Sequence, residues 1–236
     1  VKGLIVAAGQ GTRLRDIAVS KPLAKVRGKP LIERVIDTAH AAGVTEFVVV
    51  TGYEGPRVEA FLRRLAMRRG YAITTVRNPD WTLANGHSVV AAEAFLDERF
   101  VLMMADHLFD PGLLADLLAQ PARAGEVILG VDRRLDNPLV DLEDVTRVKT
   151  DTEGRILCIG KLIADYDAFD TGVFVASKAL IGALREDMVR GGGGGISAGM
   201  SRLARRGLAR TFDIGARFWL DVDDAVAHRH AQRLSA

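Results

Sequence analysis

The chain opens on an apolar strand that runs directly into a glycine turn and two cations: Gly3-Leu-Ile-Val-Ala-Ala-Gly9-Gln-Gly11-Thr-Arg13, then Lys21-Pro22-Leu23. Residues 3–8 are almost continuously apolar, as a buried strand requires. Gly9 and Gly11 allow positive φ and a close approach of main-chain N–H groups to a ligand. Arg13 and Lys21 bring positive charge to the same place, and a polyphosphate is the ligand that fits best. A tight βα turn that binds nothing can use the same glycines. The P-loop needs Gly-Lys-Ser/Thr after four spacers, and the dinucleotide fingerprint needs a third glycine where this chain has Leu14. Neither pattern is present.

Strand-like and helical stretches alternate through the first half. Residues 47–51, 73–76, 101–105 and 127–131 are short apolar runs bounded by turn residues. Leu31, Ile32, Val35, Ile36 and Ala39 recur at helical spacing behind Pro30, and residues 56–69 and 87–96 also read as helices. This alternation predicts an α/β fold of Rossmann-like type, a three-layer α/β/α sandwich around a mostly parallel mixed sheet. Ligands of such sheets bind beyond the carboxyl ends of the strands, where Gly9, Asn78 and Asp106 all fall. Runs at 145–148, 155–159 and 169–175 read as strands joined by turns, a small antiparallel addition that covers one side of the site. Helices are expected at 177–190, 197–206 and 223–234. The run Gly191–Gly195 reads as a flexible connector.

At 236 residues the chain fits one domain, 1–236. A net charge of +2 is too small to argue for nucleic acid or an anionic membrane surface. No apolar stretch reaches the roughly 18 residues of a membrane span. The single cysteine, Cys158, excludes an internal disulfide and lies in an apolar run that reads as core. A cytoplasmic location is expected.

The acidic residues carry the chemistry. Asp106 stands at the tip of a central strand, where a divalent cation bound to phosphates needs hard oxygen ligands; capping the next helix is a task better suited to Asp110. In Trp219-Leu-Asp221-Val-Asp223-Asp224, strand alternation puts Asp221 and Asp223 on one face, which suits a metal, while N-capping of the following helix suits the cluster equally. Lys161 and Asp170 either pair to hold the sheet or meet a phosphate and a hydroxyl of a second substrate. Asn78-Pro79 and Asn85-Gly86-His-Ser88 read first as turns. His87 and His107 suit exposed or capping positions, and His228 and His230 point to different helix faces, which excludes a metal pair.

Taken together these segments resemble the sugar-nucleotide-type nucleotidyltransferases, whose opening signature is similar to Ala7-Ala-Gly-Gln-Gly-Thr-Arg13 with Lys21-Pro-Leu23. Val76-Arg-Asn-Pro79, Asn85-Gly-His-Ser88, Met104-Ala-Asp-His107, Val131-Asp-Arg133, Ile159-Gly-Lys161, Asp170-Thr-Gly172 and Trp219-Leu-Asp-Val-Asp223 bring the resemblance nearest to the CTP:inositol-1-phosphate cytidylyltransferases. The resemblance implies that Ala7, Ala8, Gly9 and Gly11 hold the nucleotide, with Asn78, Gly86 and Ser88 lining the nucleoside pocket. Arg13 and Lys21 would contact the triphosphate. Asp106 would bind Mg²⁺ with Asp223 or Asp221, and Lys161 and Asp170 would receive the acceptor, so that residues 1–135 would mainly bind nucleotide and 136–236 mainly bind the acceptor and supply the second metal ligand. The implied reaction is nucleotidyl transfer from CTP to inositol 1-phosphate. The same scaffold also serves GTP or UTP with a sugar 1-phosphate, CTP with phosphocholine, or a non-catalytic nucleotide sensor. Several members of this family are fused to a membrane-embedded phosphotransferase that consumes the product. Ala105 departs from the family's usual Gly, and the Gly191–Gly195 run has no counterpart.

Overall fold

Nine strands form one mixed sheet, and its parallel centre is dictated by the helical crossovers between its first strands. The structure is a computed structural model that describes residues 1–234. In chain order the elements are β1 (Lys2–Ala7), β2 (Lys25–Val26), β3 (Lys29–Pro30), α1 (Leu31–Ala41), β4 (Glu46–Thr51), α2 (Gly55–Arg69), β5 (Ala72–Arg77), α3 (Gly86–Ala91), β6 (Arg99–Met104), β7 (His107–Phe109) and α4 (Pro111–Leu118). The second half adds β8 (Val127–Asp132), β9 (Arg147–Thr150), β10 (Ile156–Gly160), β11 (Ala168–Ser177), α5 (Lys178–Val189), α6 (Ile196–Ala204), β12 (Ala209–Asp213), β13 (Trp219–Asp221) and α7 (Ala225–Leu234).

The main sheet runs β10-β9-β11-β6-β1-β4-β5, with β8 also on β11 and β12 on β8. Strands β6, β1, β4 and β5 are mutually parallel, whereas β11 is antiparallel to β6, β8 and β9. The expected antiparallel strands therefore extend the same sheet, and two small two-stranded sheets, β13-β7 and β2-β3, lie beside it. Side chains alternate across the pleat. Leu4, Val48, Val50 and Leu102 face Val89, Leu180, Ile181 and Met200 of α3, α5 and α6. Ile5, Phe47, Val49 and Met103 face Ile32, Val58, Leu62 and Leu113 of α1, α2 and α4. The three layers follow from that alternation. A third cluster, including Leu14, Val26, Leu220, Val222 and Ala231, fastens the first loop to β13 and α7.

Four local expectations are corrected. Helix α3 stops at Ala91 and a 3-10 turn, Glu93–Phe95, replaces its second half. Cys158 is exposed, because β10 is an edge strand whose register shifts between Ile156 and Cys158 and turns the thiol outward. Asp223 lies beyond β13, which ends at Asp221, so strand alternation does not place it. The glycine run is ordered by Asp187: Gly192 N donates to its carbonyl at 2.9 Å and Gly194 N to its carboxylate at 3.1 Å, while Arg202 Nη2 holds the other oxygen at 2.9 Å. Among the described residues no helix is long and apolar enough to cross a membrane.

Candidate active site

Val6 of β1 and Met104 of β6 end at a cavity of about 590 Å³, bordered by Gly9, Arg13 and Lys21, by Asp106 and His107, by the 138–146 loop, by Lys161, Asp170 and Gly172, and by Asp221 and Asp223. Lys21 is its centre. The ammonium stands 2.5 Å from Asp106 Oδ2, bonds Asp223, and lies 4.0 Å from Asp221 Oδ1. Gly11 makes that reach available: its φ is +61°, and a Cβ there would come within 2.4 Å of the Lys21 Cβ. Its freedom thus admits the lysine stem. Gly9 does not share the positive φ expected of it.

Arg13 pairs with Asp223 and Asp144, and Asp144 also accepts from Lys161. Lys161 and Asp170 therefore do not pair with each other. Asp170 instead accepts from Gly172 N at 2.7 Å inside a bulge of β11, and burial pushes its carboxyl up to about 6. Gly172, at φ +75°, leaves room for the His107 ring, which a Cβ would approach to 2.5 Å. His107 lies 2.8 Å from Asp106 Oδ1 through Nδ1 and 3.8 Å from Asp221 Oδ2 through Nε2. Burial opposes its charge, but Asp221 and Asp106 raise its pKa to about 9.

The two carboxylates facing His107 differ. Burial would raise the pKa of Asp106, but Lys21 and His107 hold it well below the usual carboxylate range. Burial raises that of Asp221 against the attraction of His107, and repulsion from Asp106 adds to the rise. Asp221 Oδ1 is buried without a hydrogen-bond partner among the described residues. An orphaned carboxylate oxygen beside two further aspartates fits a hard cation. One oxygen each of Asp144, Asp221 and Asp223 lies within 4.8 Å of the others, as do donor atoms of Asp106, His107 and Asp221. Capping does not compete, since Asp110 Oδ1 accepts from Gly112 N and Asp224 Oδ1 from Ala227 N, both at 2.7 Å.

The sequence candidates divide in space. Arg13, Lys21, Gly9, Asp106, Asp221, Asp223, Lys161 and Asp170 share the cavity. Ala7 and Ala8 are buried outside the cavity lining, and Ala8 O accepts from Tyr53 N at 2.9 Å. Asn78 and Ser88 are buried and bonded to each other at 3.1 Å. Gly86 packs so tightly on Gly194 that a Cβ would sit 2.1 Å from its carbonyl oxygen, while Asn85 reaches the cavity surface. Sequence reasoning missed Asp144, which stands in a loop without periodicity, and set His107 aside. The Asp106-His107 adjacency at a strand tip was the available signal for the histidine.

The sequence profile of the MobA-like NTP transferase domain matches residues 3–186. The bifunctional IPC transferase and DIPP synthase of Rubrobacter xylanophilus is 36% identical over 94% of this chain and 49% of its own length. Its counterpart from Thermococcus kodakarensis is 28% identical over 99% of this chain and 50% of its own. The chain thus spans about half the length of these curated relatives. The inositol-1-phosphate CTP transferase of T. maritima is 29% identical and superposes with a TM-score of 0.85, covering 96% of this chain and 90% of that one.

Proposed function

The chain belongs to the MobA-like NTP transferase family and is a nucleotidyltransferase, and on that premise we propose that it transfers a cytidylyl group from CTP to inositol 1-phosphate, giving CDP-inositol and pyrophosphate. The observation that carries this reading is the convergence of Lys21 with Asp106, Asp221 and Asp223 at the strand ends, in one cavity with Arg13 and Lys161. The likeness to the inositol-1-phosphate CTP transferase of T. maritima favours this nucleotide and this acceptor.

An acceptor phosphate oxygen attacks the α-phosphorus as the bond to the bridging oxygen of the β-phosphate breaks. The electron pair leaves with pyrophosphate. The attacking oxygen is already anionic, so no general base is needed, and alignment with charge neutralisation remains as the catalytic task. Arg13 and Lys21 exchange their carboxylate partners for triphosphate oxygens and stabilise charge as it builds. Lys161 receives the acceptor phosphate and Asp170 a ring hydroxyl. Residues 1–135 thus carry the nucleotide contacts and residues 136–236 the acceptor contacts. Asp106, Asp221 and Asp223 would hold Mg²⁺, which when bound supplies positive charge against the phosphates. The product is an activated donor of the kind a membrane phosphotransferase consumes.

A pyrophosphate-release assay with four nucleoside triphosphates, Mg²⁺ and a panel of phosphorylated acceptors tests the reading. Release with CTP and inositol 1-phosphate is expected. A preference for UTP or GTP with a sugar 1-phosphate, or for CTP with phosphocholine, would replace the substrates, and silence with every donor would favour a nucleotide sensor.

A further inference from the structure

Asp132 ends β8 outside the cavity, fully buried, and its carboxylate accepts hydrogen bonds from three residues. Arg134 grips it with Nε at 2.8 Å and Nη2 at 2.9 Å. Two further donors come from separate directions: Trp219 Nε1 at 2.8 Å, from a position 87 residues away, and Asn137 Nδ2 at 2.8 Å. Burying a charge is expensive, and the two further donors satisfy lone pairs that the Arg134 fork leaves free.

Both partners lead to the site. Trp219 stacks on His107, with ring centroids 6.5 Å apart and planes 17° from parallel. Trp219 and Asp221 share one face of β13, and Asp221 stands opposite His107 in the β7 pairing. Arg134 Nη2 also donates to Arg217 O at 2.9 Å, fixing the approach to β13. On the other branch, Asn137 Oδ1 accepts from Leu139 N at 3.1 Å and Asn137 O accepts from Val140 N at 3.1 Å. That turn presents residues 138–140 as a cavity wall.

We propose that Asp132 is a positioning residue with two outputs: through Trp219 it orients His107 and Asp221 for the metal, and through Asn137 it sets the wall against which the acceptor lies. This rests on the reading of the aspartate cluster given above. Outer-shell partners of metal ligands commonly change metal affinity by 10–100-fold when lost, through orientation alone.

The branches separate experimentally. Trp219→Phe keeps a ring against His107 and deletes the donor to Asp132, whereas Asn137→Ala deletes the other donor. Mn²⁺ binding followed by electron paramagnetic resonance, and the acceptor KM with whichever substrate pair the wild type turns over, read the two outputs. Trp219→Phe should weaken Mn²⁺ binding about 10-fold or more and leave the acceptor KM unchanged. Asn137→Ala should raise the acceptor KM about 10-fold and leave Mn²⁺ binding unchanged. Asp132→Asn should move both; if it does not fold, the two branch variants decide. Unchanged Mn²⁺ affinity in Trp219→Phe, or equal shifts of both quantities in both branch variants, would overturn the proposal. A wild type that binds Mn²⁺ with this split but ignores CTP and inositol 1-phosphate would refute the substrates and keep the inference.

Discussion

Lys21 is the residue on which the site turns, because its ammonium meets Asp106, Asp221 and Asp223 at once. Loss of one such contact to a transition state typically costs about 10²–10³ in rate. Lys21→Ala and Asp106→Ala should each fall by that amount in pyrophosphate release, and near-normal turnover in both would remove the mechanism. Asp170 gives a pH signature. Its folded pKa of about 6 lies above the ordinary aspartate value, so its contribution to stability is fully present below about pH 4 and lost as pH rises through about 6. Asp170→Asn should therefore unfold at a higher temperature than wild type at pH 8, and this gain should vanish near pH 4. Lys21, Asp106 and Asp223 were legible because a glycine turn, a strand tip and an acidic cluster mark them. Asp144 was not, since only the folded 138–146 loop brings it between Arg13 and Lys161.

At the scale of elements, periodicity located the strands and helices well and failed where the chain makes specific polar contacts. The Gly191–Gly195 run has the composition of a linker, yet Asp187 draws it into a fixed turn and Arg202 locks Asp187 in place. No sequence pattern reveals a carboxylate that reaches seven residues forward. Removing an acceptor and leaving its donors unsatisfied typically costs about 1–3 kcal/mol. Asp187→Ala should show a loss of that order in chemical denaturation, and a change within error would mean the run is held by packing alone. Cys158 failed for a similar reason, because an apolar run predicts burial and the bulge on the outer edge of β10 reverses it.

For the molecule as a whole, charge is concentrated where chemistry is expected. The net charge is only +2, yet the cavity lining holds seven aspartates against Arg13, Lys21 and Lys161. A triphosphate entering without a metal meets like charge. Calorimetry in EDTA should therefore show CTP binding weakened by at least about tenfold, or about 1.4 kcal/mol, relative to Mg²⁺. Equal affinity in both buffers would mean that the aspartates serve another purpose. The α/β class and the end of the sheet that carries the cavity were legible from the alternation of elements. The joining of the two halves was not, because it depends on β11 lying antiparallel to β6 and β8.

That strand has a consequence for biosynthesis. β6 is flanked by β1 and β11, and β11 is complete only at Ser177. While the ribosome is still making the second half, the nascent sheet exposes an unpaired backbone edge next to a largely finished glycine loop. A chain truncated at residue 135 should consequently associate with other copies or with chaperones, whereas one that runs past Ser177 can close its own seam.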